Sequence, residues 1–252
     1  MEGHRMNALV NVARYHLLKK YTYLVIPWAW TAFGFALDLV IFAAIPITHS
    51  YHEVLTATGL VKVPNPPSPR DAGGLIGIVI VYFILGVVCI AQELPFGLAL
   101  GLSRRTYYAG TALLATALAV VNGLAITVLQ ALERATDGWG ESAHVFQIPY
   151  VLDGPWYVTW LTATAALALL FVWGMWFGVV YRRWNLAGAL VFTGVQLSVL
   201  LLAGLSITWS HAWSGTGRFF TVLPEAGLAG LLLALTAVLM GGGYATIRRA
   251  TV

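Results

Sequence analysis

Lysine is scarce in this chain: Lys19, Lys20 and Lys62 are all there are, and none follows a glycine. A phosphate-cradling loop that ends in Gly-Lys is therefore excluded. No dinucleotide fingerprint opens a helix after a strand, and no Gly-x-Ser-x-Gly elbow is present. Cysteine occurs once, at Cys89, which rules out a disulfide within the chain. The six histidines are scattered, and His52-Glu53 is followed by Thr56 where a zinc-protease helix needs histidine, so no metal site is expected. No basic patch interleaved with aromatics points to nucleic acid. Charge is scarcest of all. Only 10% of the 252 residues are charged, against about 25% in soluble domains.

What fills the space is apolar: 59% of residues are hydrophobic and the mean hydropathy is +0.80. A bilayer crossing needs roughly 20 apolar residues in a helix. Six segments qualify: 23–47, 74–90, 108–132, 156–181, 186–208 and 226–244. They are too long and too evenly apolar for strands of a membrane barrel. The fold class expected is an all-α integral membrane protein with six transmembrane helices, residues 23–252 forming the membrane domain.

The placement of charge orients it. Arg5, Arg14, Lys19 and Lys20 precede the first span, and Arg104–Arg105 and Arg182–Arg183 sit in alternate loops, with Arg248 and Arg249 after the last span. Those ten of the fourteen Lys and Arg residues put both termini in the cytoplasm, leaving Lys62, Arg70, Arg134 and Arg218 outside. Residues 1–22 carry Met6, Leu9, Val10, Ala13 and Leu17 on one helical face and Asn7, Asn11 and Arg14 roughly opposite. The pattern predicts an amphipathic helix resting in the interface, with no cleaved signal.

Few polar residues lie within the spans. Asp38 is costly at that depth unless it is paired, hydrated or protonated, so it is a candidate for a transport path or for a structural hydrogen bond. Asn122, Gln130 and Gln196 are the kind of amides that bond between helices, and Asn122 and Gln196 are also substrate-path candidates. Beyond the third span come Glu133, Asp137, Glu141 and Asp153, with Trp139, Phe146, Tyr150, Trp156 and Tyr157, which suggest a short structure on the outer leaflet. Residues 207–223 are amphipathic and too short to cross, and read as a re-entrant or interfacial outer piece.

One loop is neither polar nor tight: Glu93-Leu94-Pro95-Phe96-Gly97-Leu98-Ala99-Leu100-Gly101-Leu102-Ser103-Arg104-Arg105. Pro95 suits the first turn of a short helix, and Glu93 would face the positive end of that helix's dipole. Gly101 and Ser103 predict a stop followed by an N-cap, with a new helix from Arg104. Such a short apolar helix is either a handle for a partner or an elbow that rests on lipid.

That segment, with six spans, both ends inside, an amphipathic N-terminal helix and a re-entrant-like piece before the last span, resembles the permease subunits of type-two ABC exporters. Leu100-Gly101-Leu102-Ser103-Arg104-Arg105 is similar to the stretch where that family's coupling helix meets the next span. The Ala-, Gly-, Leu-, Val- and Trp-rich style looks like an actinobacterial homologue. The resemblance implies a plasma-membrane subunit that pairs with a second copy or close relative and binds separate cytosolic ATPase subunits. ATP and magnesium would be bound by those partners, with no cofactor and no catalytic residue in this chain. Coupling would fall on Glu93, Leu94, Pro95, Phe96, Gly101, Ser103, Arg104 and Arg105. Two other classes stay open: a proton- or ion-coupled carrier using Asp38, and a non-transporting immunity or assembly protein.

Overall fold

The computed structural model describes residues 12, 19, 21–44, 75–139, 145–148, 151–152, 154–213, 215 and 224–249. Among these every regular element is helical. A π-helical turn, Tyr21–Val25, leads into α1 (Ile26–Ala44). Helix α2 (Leu75–Val88) runs into a second π-turn, Cys89–Glu93, and then into the six-residue α3 (Leu94–Ala99). Helix α4 is Arg104–Ala135, α5 is Trp156–Trp209 and α6 is Glu225–Arg249. Five stretches are long and apolar enough to cross a bilayer: Tyr21–Val40, Leu75–Ala99, Arg104–Ala135, Trp156–Trp209 and Ala226–Thr246. The chain is thus compatible with a multi-pass membrane protein. Most of residues 1–22, where an amphipathic helix is expected, the long loop at 45–74 with His49, His52 and Glu53, and most of the 207–223 segment lie outside the described residues.

Helix α5 has 54 residues, which if straight would reach about 81 Å, far more than a bilayer is thick. It is bent double. Asn185 has φ 54° and ψ −154°, outside the helical region and close to a conformation that is otherwise almost confined to glycine. Trp173 and Gln196 would stand about 35 Å apart along a straight helix. Instead the indole N–H of Trp173 donates to Gln196 Oε1 at 3.1 Å. Phe192 meets Phe177 and Trp176 at ring distances of 4.8 and 5.3 Å. Residues 156–184 and 186–209 are therefore two antiparallel arms, joined where the sequence predicts a turn.

The first arm is the hub. Helix α5 packs against α2, α4 and α6, and the buried core gathers Ile78, Tyr82 and Leu85 of α2, Leu114 and Leu118 of α4, and Leu167, Phe171 and Met175 of α5. Gly86 and Gly174 allow the closest approach: a Cβ on either would run into the facing backbone carbonyl, Phe171 O or Phe83 O. With little hydrophobic drive between helices in lipid, small residues that admit backbone contact hold such a pair together. The second arm has no buried residue among 186–209, and its leucines and valines are exposed. On a bilayer protein, that is the surface that faces lipid or another subunit.

Three polar bonds tie the bundle where apolar packing alone would not fix register. Asn122 Nδ2 donates to Tyr82 Oη at 2.6 Å, and Tyr82 O–H donates to the Leu118 carbonyl at 3.0 Å, joining α4 to α2. Tyr108 O–H donates to the Met240 carbonyl at 3.1 Å, which sets the far part of α6 beside the start of α4.

Candidate functional site

The elbow between α2 and α4 is built much as its residues dictate. Pro95 sits in the first turn of α3, where its missing N–H is harmless. Gly101 takes φ 82°, which a glycine adopts without the strain a side chain would bring. Ser103 is the N-cap of α4, its Oγ accepting from the Thr106 N–H at 3.1 Å. Glu93 departs from expectation. It is the residue that precedes α3, yet its side chain makes no capping bond. The carboxylate turns away from the α3 dipole and into the bundle, because stronger donors wait there.

Those donors come from the segment before α1. Lys19 Nζ donates to Glu93 Oε1 at 2.8 Å, and Tyr23 O–H donates to Glu93 Oε2 at 2.7 Å. Glu93 is 4% exposed and the Lys19 side chain 49%, so the ion pair reaches from the interior to the surface. Tyr23 Oη also lies 3.0 Å from Cys89 Sγ. Since the single tyrosine proton goes to the carboxylate, the thiol donates to the phenol oxygen. Tyr107 O–H of α4 donates to the Cys89 carbonyl at 2.8 Å. Both π-turns, Tyr21–Val25 and Cys89–Glu93, thus face one another across this cluster. A π-turn inserts an extra residue into a helix and is often found at functional positions. Here each delivers a side chain, Tyr23 or Glu93, to the same buried knot.

Outside the knot, α3 divides by face. Leu94 and Gly97 are buried, and a Cβ on Gly97 would meet the Tyr107 ring at 2.6 Å. Phe96 and Leu100 are 55% and 61% exposed. Arg105 is exposed and Arg104 half-buried on the first turn of α4. The α5 bend lies at this same end, since Gly178 packs against Ile90 and the Val87 carbonyl. Arg182 and Arg183 therefore join Arg104 and Arg105 there, with the Arg183 guanidinium 4.7 Å from the Trp184 ring centroid. The coupling residues expected from sequence form one patch around a buried anchor. Sequence reasoning missed Lys19, Tyr23, Cys89 and Tyr107 as parts of it. No local signal marks them, since Tyr23 and Lys19 lie some seventy residues from Glu93.

The substrate-path candidates do not converge. Asn122 is buried and committed to Tyr82 and Leu118. Gln196 is half-buried in the second arm of α5, its Nε2 without a partner. Asp38 is half-buried in α1, and its Oδ2 is shielded yet has no hydrogen-bond partner.

At the opposite end of α4 lies a second buried acid. Glu133 is fully buried, and its Oε2 accepts from Trp139 Nε1 at 3.1 Å, Val145 N at 2.9 Å and Phe146 N at 2.9 Å. Its Oε1 has no partner. One turn earlier, Gln130 Nε2 donates to the Leu152 carbonyl. Asp137, Gly138 and Trp139 all take positive φ, at 51°, 70° and 61°, which turns the chain sharply back onto Glu133. Phe35 of α1 packs on this cap, with rings 5.1 Å from Trp139 and 6.1 Å from Phe146. Among the described residues no cluster of metal-ligating side chains occurs. No family model, curated protein or solved structure matches the chain.

Proposed function

We propose that this chain is the membrane subunit of an ATP-driven exporter, moved by a separate cytosolic ATPase that docks on the elbow of residues 93–105. In this reading the two arms of α5 cross separately, giving six crossings, and the chain sits in a bacterial plasma membrane with both termini in the cytoplasm. The observation that carries the proposal is the two-faced α3. Its buried side is fixed to the bundle through Leu94 and Gly97, while Phe96 and Leu100 stand out beside two arginine pairs. An apolar knuckle on a polar, basic surface suits a protein partner, and its rigid backing suits the transfer of a push. Lys19 and Tyr23, bonded to Glu93, would carry that push to α1. A second copy or close relative would complete the transport path against the exposed arm of α5. ATP and magnesium would belong to the ATPase, leaving this chain without a catalytic group of its own.

The test is copurification in mild detergent from the native host, followed by ATPase assay of the complex. A stoichiometric nucleotide-binding subunit whose hydrolysis responds to the membrane subunit is expected. Phe96→Asp should abolish that response, with the variant still inserted and monodisperse. Recovery of the chain with no ATPase, or an unchanged response in Phe96→Asp, would sink the assignment. A second reading, a proton- or ion-coupled carrier, rests on the unpartnered Asp38 oxygen. It predicts transport by the chain alone in vesicles with an ion gradient and no nucleotide.

A further inference from the structure

Five buried side-chain atoms among the described residues lack a hydrogen-bond partner, and two of them are carboxylate oxygens: Asp38 Oδ2 and Glu133 Oε1. A shielded, unsatisfied carboxylate oxygen is expensive, so two in one small membrane protein need a reason. The same three rings connect them. Phe35 stands three residues before Asp38 in α1, hence on the same helical face. It packs edge-on against Trp139, 67° between planes, and lies beside Phe146. Trp139 and Phe146 in turn are held by Glu133 through the indole N–H and a backbone N–H.

The arrangement has the chemistry of a cation receptor. Phe35 and Trp139 are only half-buried, and Asp38 stands one turn beyond Phe35 on the same face of α1. Aromatic faces attract cations through their quadrupole, the more so where water is excluded. A carboxylate without a donor supplies the countercharge. Glu133 is buried too deeply to touch such a ligand. Its role is positional: with three N–H donors on one oxygen, it fixes the angle of Trp139, and the left-handed turn at 137–139 stores the constraint.

We propose that Asp38, Phe35 and Trp139 form a binding site for a hydrophobic organic cation, an ammonium or phosphonium carried on an apolar body. As a statement about cargo, this rests on the export reading; as a statement about binding, it does not. An apolar body suits entry from the bilayer, and the aromatic cap supplies the contact that a metal ion would not use.

The probe is radiolabelled tetraphenylphosphonium, measured by equilibrium binding to the purified full chain in detergent. Tetraphenylborate, of the same shape and opposite charge, serves as competitor. Saturable binding is expected that unlabelled tetraphenylphosphonium displaces and tetraphenylborate does not. Asp38→Asn should weaken it about tenfold or more, the loss of a charged partner. Phe35→Leu should weaken it about threefold while keeping the packing volume. Each variant is first checked for monodispersity and thermal stability, and Phe35→Leu decides the matter where Asp38→Asn does not fold. Absence of saturable binding overturns the proposal, as does binding of equal strength in the folded variants or equal competition by tetraphenylborate. No ATPase takes part, so failure here leaves the exporter assignment standing. Failure to recover an ATPase leaves this site standing as a receptor.

Discussion

The two buried glutamates solve the same problem in different ways. Glu93, at the elbow, takes donors on both oxygens: an ammonium on one and a phenol on the other. Glu133, at the far end of α4, receives all three of its donors on one oxygen and none on the other. The first is an ion pair whose lysine is half in solvent, so it can be loosened from outside. The second is a clasp of neutral N–H groups closed over by the cap. The difference teaches where the chain is built to move. A charge pair between two π-turns can be made and broken while the helices stay folded; a carboxylate that satisfies two backbone N–H groups holds the cap's shape and cannot let go without unfolding it.

The strongest way to break the comparison is Glu133→Ala. It leaves the Trp139, Val145 and Phe146 N–H groups without an acceptor, and unsatisfied buried donors cost about 1–3 kcal/mol each. We expect a loss of about 3–5 kcal/mol, read by denaturant unfolding in detergent, with new protease cleavage between residues 139 and 152. An unchanged midpoint would mean that the clasp contributes nothing. The comparison is sharpened by the glutamine variants. At Glu93, an amide can keep its oxygen on the Lys19 ammonium only by turning its NH2 to Tyr23, whose hydroxyl must then reverse to accept, and the charge that paired with the ammonium is lost, at a cost of about 2 kcal/mol. At Glu133, the amide oxygen can keep all three donors and set its NH2 at the unpartnered position, at a cost of about 1 kcal/mol. Glu93→Gln should therefore be the more damaging of the two, and the reverse order would overturn the view of Glu93 as the acid bonded on both oxygens.

How much of this was legible in the sequence follows from range. The short-range elements were: Pro95, Gly101 and Ser103 announce a helix, a stop and a cap, and the chain does all three. The bend after Trp184 was announced by two arginines between apolar runs, although Asn185 carries it without a true loop. Glu93 was misjudged in its partner because the helix dipole is a neighbour in sequence, whereas Tyr23 and Lys19 lie some seventy residues away. Glu133 was grouped with the acids of the outer loop, since nothing local tells a buried carboxylate from an exposed one next to Arg134. The π-turns left no trace either. An inserted residue shifts the hydrophobic period by about 100°, a change hidden where every face of the helix is apolar.

The smallest effect bears on whether the Glu93 latch is adjustable. Lys19 is half-exposed, and pairs of that kind contribute about 0.2–1 kcal/mol because water and salt screen them. Lys19→Ala should therefore cost no more than that, with Tyr23 still serving the carboxylate. Salt supplies the independent check, since roughly 1 M shortens the screening length to about 3 Å. Wild-type protein should lose the same small increment in high salt, and Lys19→Ala should lose nothing further. An equal salt effect on both would show that the ammonium adds nothing to Glu93, leaving the tyrosine as its working partner and the knot as rigid as the clasp at the other end. Non-additivity would instead mark the ion pair as the weak joint between Lys19 and the elbow, the place where the proposed partner would act.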